Sequence, residues 1–192
     1  MNGKAGISAP NKSVPVMKLI KNHKPKSYSE LEILIEYHYL NECYCGVKST
    51  GTVFDFGKNL YEAQMEFWHE YKFTLKECIE WEYNLFIYNS LKGSKMENKA
   101  KFEIKKRLST EYIVEKTDQI TDEEYRVDIW IHKNNKIILG IQVKPKTYKY
   151  MRNEVKFSNI NRNKKFKYPV KYLYYDNDKN FDNISEVLKE II

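Results

Sequence analysis

Residues Glu124–Pro145 read EYRVDIWIHKNNKIILGIQVKP, and the reading of this stretch decides the fold. Val127, Ile129 and Ile131 alternate with Asp128, Trp130 and His132, the period-two pattern of a half-buried strand. Asn134-Asn135 suits a tight hairpin turn, because Asn tolerates positive φ better than most residues. The returning strand, Lys136 to Lys144, carries Leu139, Ile141 and Val143 on one face. Gln142 and Lys144 then share the other face, about 7 Å apart along the strand. Pro145 restricts Lys144 to extended backbone and donates nothing to a ladder, so the strand is expected to end at this polar pair. One acid, one amide and one lysine are thereby predicted to meet on a sheet.

A carboxylate and an amide carbonyl both ligate hard divalent cations such as Mg²⁺. A neighbouring ammonium steadies a phosphate or helps orient an attacking water. Asp128 followed by Gln142-Val143-Lys144 resembles the PD-(D/E)xK nuclease motif, in the variant where Gln replaces the usual acid. The same residues also fit an ordinary polar hairpin, so the surrounding elements have to decide.

The chain of 192 residues suffices for one domain with a real core. Its net charge of +7 suits a polyanion and equally a basic cytosolic protein. Cys43, Cys45 and Cys78 are odd in number and lack zinc-type spacing, so they are expected to be free thiols of a reducing cytoplasm. No long apolar run follows the N-terminal lysines, and nothing reaches the ~18 apolar residues of a membrane span. Neither a signal peptide nor a membrane segment is expected.

Outward from the hairpin, the N-terminal part reads as an arm followed by helices. Residues 1–26 contain Pro10, Pro15 and Pro25 and suit either an extended arm, with Val14 to Ile20 as an edge strand, or a partly disordered tail. Ser27 caps a helix carrying Leu31, Leu34, Ile35 and His38 on one face and ending near Cys45-Gly46. His38 is expected to be a packed histidine. Gly46 to Gly57 reads as a loop, with Asp55 in a turn or cap. Helices are expected over Asn59 to Tyr71 and Thr74 to Ser90, the second opened by a Thr74/Glu77 capping box. Phe67, Trp68, Trp81, Tyr83 and Phe86 suit packing. Lys92-Gly93-Ser94 is expected to close this region, dividing a single domain into 1–92 and 93–192.

Ser94 to Leu108 is predicted to be helical. At about 100° per residue, Ala100, Ile104 and Leu108 fall within about 60° of Glu97, whereas Glu103 lies round the side. An acid on an apolar stripe is costly unless paired or metal-bound, although a place near the helix N-terminus also favours acids. Tyr112 to Glu115 reads as a strand and Asp118 to Glu124 as an acidic turn. Thr147 is expected to cap a helix over Tyr148 to Phe157, with Tyr150, Met151 and Val155 inward. Asn153, Asn159, Asn161, Arg162, Lys164 and Lys165 form an exposed basic segment. Asn and Arg side chains pair with base edges, and lysines with phosphates; a solvated surface is the plainer alternative. Tyr168 to Tyr175 reads as a strand, and Asp182 opens a last helix packing Ile184, Val187, Leu188 and Ile191.

From Ser94 this order is αβββαβ, a mixed α/β arrangement with a central mixed sheet flanked by helices. It resembles the restriction-endonuclease-like core, preceded here by a helical region. The short Gln-Val-Lys-Pro ending and the Asn-rich basic segment look most like type II restriction endonucleases. Ile141 to Pro145 followed by Tyr148 is similar to a small branch that cuts CTAG. The resemblance implies Mg²⁺-dependent hydrolysis of double-stranded DNA by a cytoplasmic homodimer. Asp128, Gln142 and Glu97 would be the metal-binding residues, with Lys144 at the scissile phosphate. Other nucleases of the same fold, for repair or junction resolution, and a non-catalytic DNA-binding protein share most of these features.

Overall fold

The structure, a computed structural model, describes residues 14–41 and 49–191. The expected arm over residues 1–13, together with Cys43, Cys45 and the Cys45-Gly46 helix end, lies outside them. The chain divides into two compact units, Met1–Lys92 and Gly93–Ile192.

In the first unit Val16–His23 forms α1, not the expected edge strand. Val16, Leu19 and Ile20 are buried at spacings of three and four, so they share one helix face, which a strand would split between two. Helix α2 spans Tyr28–Leu40, with the Ser27 side chain accepting from the Glu30 backbone N–H. Leu31, Ile35 and His38 are its buried residues. Helix α3 spans Val53–Trp68 and starts well before Asn59, because Thr52 and Asp55 form a capping box inside the expected loop. Gly57 is no turn residue: it lies within α3, where a Cβ would stand 2.5 Å from the Ile79 Cα. Helix α4, Leu75–Tyr83, opens with the expected Thr74/Glu77 box. A π-helical turn, Asn84–Asn89, follows, and α5 runs over Ser90–Lys105. Helix α5 passes through Gly93, so Lys92-Gly93-Ser94 does not end a helix. Trp68 and Trp81 pack as expected, while Phe67 is exposed.

The second unit is built on a four-stranded mixed sheet in the order β1-β2-β3-β4. These are Tyr112–Lys116, Ile129–Lys133, Lys136–Pro145 and Val170–Tyr175. The first two pairings are antiparallel and β3/β4 is parallel. Asn134 and Asn135 adopt φ of 52° and 59°, so the hairpin turns on two left-handed residues between Lys133 and Lys136. Strand β3 extends one residue past the polar pair, with Pro145 opposite Tyr175. Val114, Ile129, Ile131, Ile141, Val143 and Leu173 form one buried face. Met96, Ala100 and Ile104 of α5 cover it, with Ile184, Val187 and Leu188 of α8, Ile184–Leu188.

Three expectations change here. The acidic turn is helix α6, Gln119–Tyr125, because Asp118 accepts from the Thr121 N–H and caps it; it is an extra element between β1 and β2. Thr147 caps nothing: Lys146–Tyr150 is a short 3-10 turn, and α7 begins later, at Asn153–Asn163. That shift turns Tyr150 and Met151 outward and places Asn159, Asn161, Arg162 and Asn163 in a helix rather than a loop. Asn183, not Asp182, precedes the last helix; Asp182 pairs with Lys146.

Candidate active site

Asp128 stands one residue before β2, yet the sheet already holds its backbone. Its N–H donates to the Ile141 carbonyl at 2.9 Å, and its carbonyl accepts from the Thr117 N–H at 3.1 Å. With Ile129 opposite Ile141, Asp128 stands level with the Ile141–Gln142 step of β3. Its Oδ2 accepts a 2.7 Å hydrogen bond from the Val143 backbone N–H. One oxygen is thus fixed by the strand that carries Gln142 and Lys144.

The electrostatics place the other members round it. Asp128 keeps part of its surface open, but surrounding protein strips its carboxylate of water and raises its pKa to about 7. The nearby Glu97 carboxylate contributes to that rise, while the Lys144 ammonium and the Val143 hydrogen bond act in the opposite direction. A helix residue and two sheet residues distant in sequence therefore feel one another here. Glu97 is mostly buried, and its Oε2 lies 2.6 Å from the Lys116 Nζ. Glu103 sits apart, bound to Arg107 one helical turn on at 2.7 Å, as the helical phase requires.

Gln142 is 1% exposed, and its buried Oε1 has no hydrogen-bond partner. An unsatisfied buried carbonyl costs about 1–3 kcal/mol, so such atoms call for an explanation. A hard cation supplies one, since amide and carboxylate oxygens are its preferred ligands. The donor set fits a divalent metal: two carboxylates, Asp128 and Glu97, and an amide oxygen. Among the described residues no group of three or more His, Cys, Asp or Glu is arranged for a metal.

Lys116 was not legible as a site residue. It ends β1 opposite Ile129, which brings its ammonium to Glu97, and only the pairing register carries that information.

The basic segment divides in two on α7. Asn153, Asn161, Lys164 and Lys165 are exposed. Asn159 donates to the Tyr148 hydroxyl at 2.9 Å, and Arg162 to the Glu123 carbonyl at 2.7 Å. Asn163 is buried and donates to the Tyr125 carbonyl at 2.8 Å. Between Lys144 and Lys167 the only acid is Glu154. Among the described residues no helix is long and apolar enough to cross a membrane.

A family model described as MjaI restriction endonuclease matches residues 1–188, nearly the whole chain. No curated protein and no solved structure matches the chain.

Proposed function

This chain belongs to the MjaI restriction endonuclease family, and from that premise we propose how it cuts DNA. It is a type II restriction endonuclease, a site-specific deoxyribonuclease; such enzymes typically need a divalent metal. The reading advanced here is Mg²⁺-dependent hydrolysis of both strands of duplex DNA at CTAG, by a cytoplasmic homodimer. Residues 93–192 would be the nuclease core and 1–92 a helical part of the same functional domain.

The observation that carries the site is the clamped Asp128 carboxylate beside the unpartnered Gln142 Oε1. Asp128, Gln142 and Glu97 would hold the cation. When bound, Mg²⁺ polarises a phosphoryl oxygen and lowers the pKa of a water ligand. The Val143 N–H keeps one Asp128 oxygen in place and leaves the other to bind. Lys144 shares the sheet face of Gln142, where its ammonium would stabilise charge that develops on the scissile phosphate. The exposed Asn153 and Asn161 suit base edges, and Lys164 and Lys165 suit phosphates. Asn159 and Arg162 would join them only by giving up their present hydrogen bonds. Support for CTAG is the Ile141–Pro145 phrase followed by Tyr148. A two-fold dimer is expected because a palindrome presents two equivalent strands to cut.

The test is incubation of the purified protein with unmethylated phage DNA, with Mg²⁺ or with chelator. Discrete fragments whose ends map to CTAG sites, lost with chelator and with Asp128→Ala, are the expected result. Salt-sensitive DNA binding without cleavage would instead favour a decayed nuclease, with Gln142 as the trace of that loss.

A further inference from the structure

Tyr148, on the 3-10 turn that follows β3, is 6% exposed. The Lys144 ammonium lies over its ring, 5.8 Å from the centroid. The opposite requirement, holding the ring itself, is met from two sides. Its hydroxyl accepts from Asn159 at 2.9 Å, and its ring stacks on Tyr172 with centroids 5.8 Å apart and planes 18° apart. The Tyr172 hydroxyl donates to Asn163 Oδ1 at 2.6 Å, and Asn163 Nδ2 donates to the Tyr125 and Arg126 carbonyls at 2.8 and 3.3 Å. Those carbonyls belong to the backbone that leads into Asp128.

Asn159 and Asn163 are four residues apart and so share one face of α7. Asn153, Phe157, Asn161 and Lys164 lie towards its other side and are exposed. The inner face of α7 thus grips the tyrosine pair while its outer face is open.

An aromatic face suits a lysine that must act on phosphate. A carboxylate partner would neutralise the ammonium and occupy its N–H donors. A π-face attracts the cation, leaves its charge intact and leaves the donors free to point elsewhere. It also limits the wandering of a flexible four-carbon stem.

We propose that Tyr148 is a positioning residue for Lys144, and that α7 holds it there through Asn159. This rests on the reading of Lys144 as the residue at the scissile phosphate. It also removes Asn159 from base reading and leaves that task to the outer face of the helix.

The test compares Tyr148→Phe, Tyr148→Leu, Asn159→Ala and Lys144→Ala in the full-length protein. Single-turnover cleavage is measured at saturating duplex, and DNA affinity in chelator. Tyr148→Leu is expected to slow cleavage about tenfold or more at nearly unchanged affinity, since misplacement acts on kcat. Tyr148→Phe keeps the π-face and should recover most of the rate. Asn159→Ala should slow cleavage without altering sequence preference. In the Lys144→Ala background Tyr148→Leu should add nothing, because both act on one group. If Tyr148→Leu does not fold, Tyr148→Met refills the volume without an aromatic face and carries the same expectation. Wild-type rate in Tyr148→Leu or Tyr148→Met, or a loss in Tyr148→Phe as large as in those variants, overturns the proposal. Full cutting by Lys144→Ala would overturn the site reading itself, a separate outcome.

Discussion

The Val143 backbone N–H donates a 2.7 Å hydrogen bond to Oδ2 of Asp128, so a main-chain donor of one strand orients the acid of the next. A strand N–H is held rigidly by its ladder, unlike a side-chain donor, and it adds no charge to the site. It orients the carboxylate without supplying enough positive potential to hold its pKa in the usual carboxylate range. Several measurable consequences stem from that shortfall.

The first concerns pH. Asp128 has its pKa raised from 3.8 to about 7, first by burial and then by Glu97. The folded protein therefore holds a proton that the unfolded chain has already released. This contribution to stability is fully present below pH 3.8 and is lost progressively as pH rises to about 7. Asp128→Asn carries no such charge, so in chelator its stability relative to wild type should climb between those pH values and then level off. Melting curves in chelator across pH 4–9 check this, and an Asn variant with no relative gain at pH 8 would refute the burial argument. The same variant should not cleave DNA.

Glu97 and Glu103 offer a direct comparison on one helix. Glu97 is mostly buried, pairs with Lys116 and stands near Asp128. Glu103 pairs with Arg107 at the surface, where removal of such a pair costs about 1 kcal/mol or less. Glu97→Ala should reduce cleavage about 10- to 100-fold or more, and Glu103→Ala should leave it close to wild type. The reverse order in a single-turnover assay would mean that the α5 carboxylate serving the site has been misassigned.

If Glu97 holds the cation as proposed, Lys116, 2.6 Å from its Oε2, would compete with that cation for it. Removing its charge leaves Glu97 and Asp128 with only the Lys144 ammonium to offset them, which should destabilise the metal-free site and strengthen its pull on a divalent ion. For Lys116→Met we expect a lower melting temperature in chelator at pH 8 and a larger rise on adding Mg²⁺ than wild type shows. A rise equal to or smaller than that of wild type would show that Lys116 does not oppose cation binding.

Gly57 makes a packing prediction independent of catalysis. A Cβ there would lie 2.5 Å from the Ile79 Cα and 2.6 Å from its Cγ1, so α3 and α4 would have to separate. Gly57→Ala should destabilise the protein by about 1–3 kcal/mol, the usual cost of overpacking. Urea unfolding measures it; an unchanged midpoint would mean that this helix pair yields freely.

What was legible in the chain was local. The β2/β3 alternation, the Asn134-Asn135 turn and the Thr74/Glu77 box each depend on residues within a few positions of one another, and the structure has them. Local reading failed where two local signals competed. Val14 to Ile20 is an apolar run that also has helical spacing at Val16, Leu19 and Ile20. Asp118 has the sequence marks of a turn acid but caps a helix. Gly57 has those of a breaker, but it permits two helices to touch.

The sequence by itself determined that Gln142 and Lys144 would share one sheet face, because side-chain direction in a strand follows from parity alone. Only the tertiary structure decided that Lys116 meets Glu97, that Oε1 of Gln142 is left without a partner, and that Tyr148 lies under Lys144. Those relations depend on strand register and on the seating of α5 and α7, which are set by the packing of the whole unit and by no short stretch of its chain.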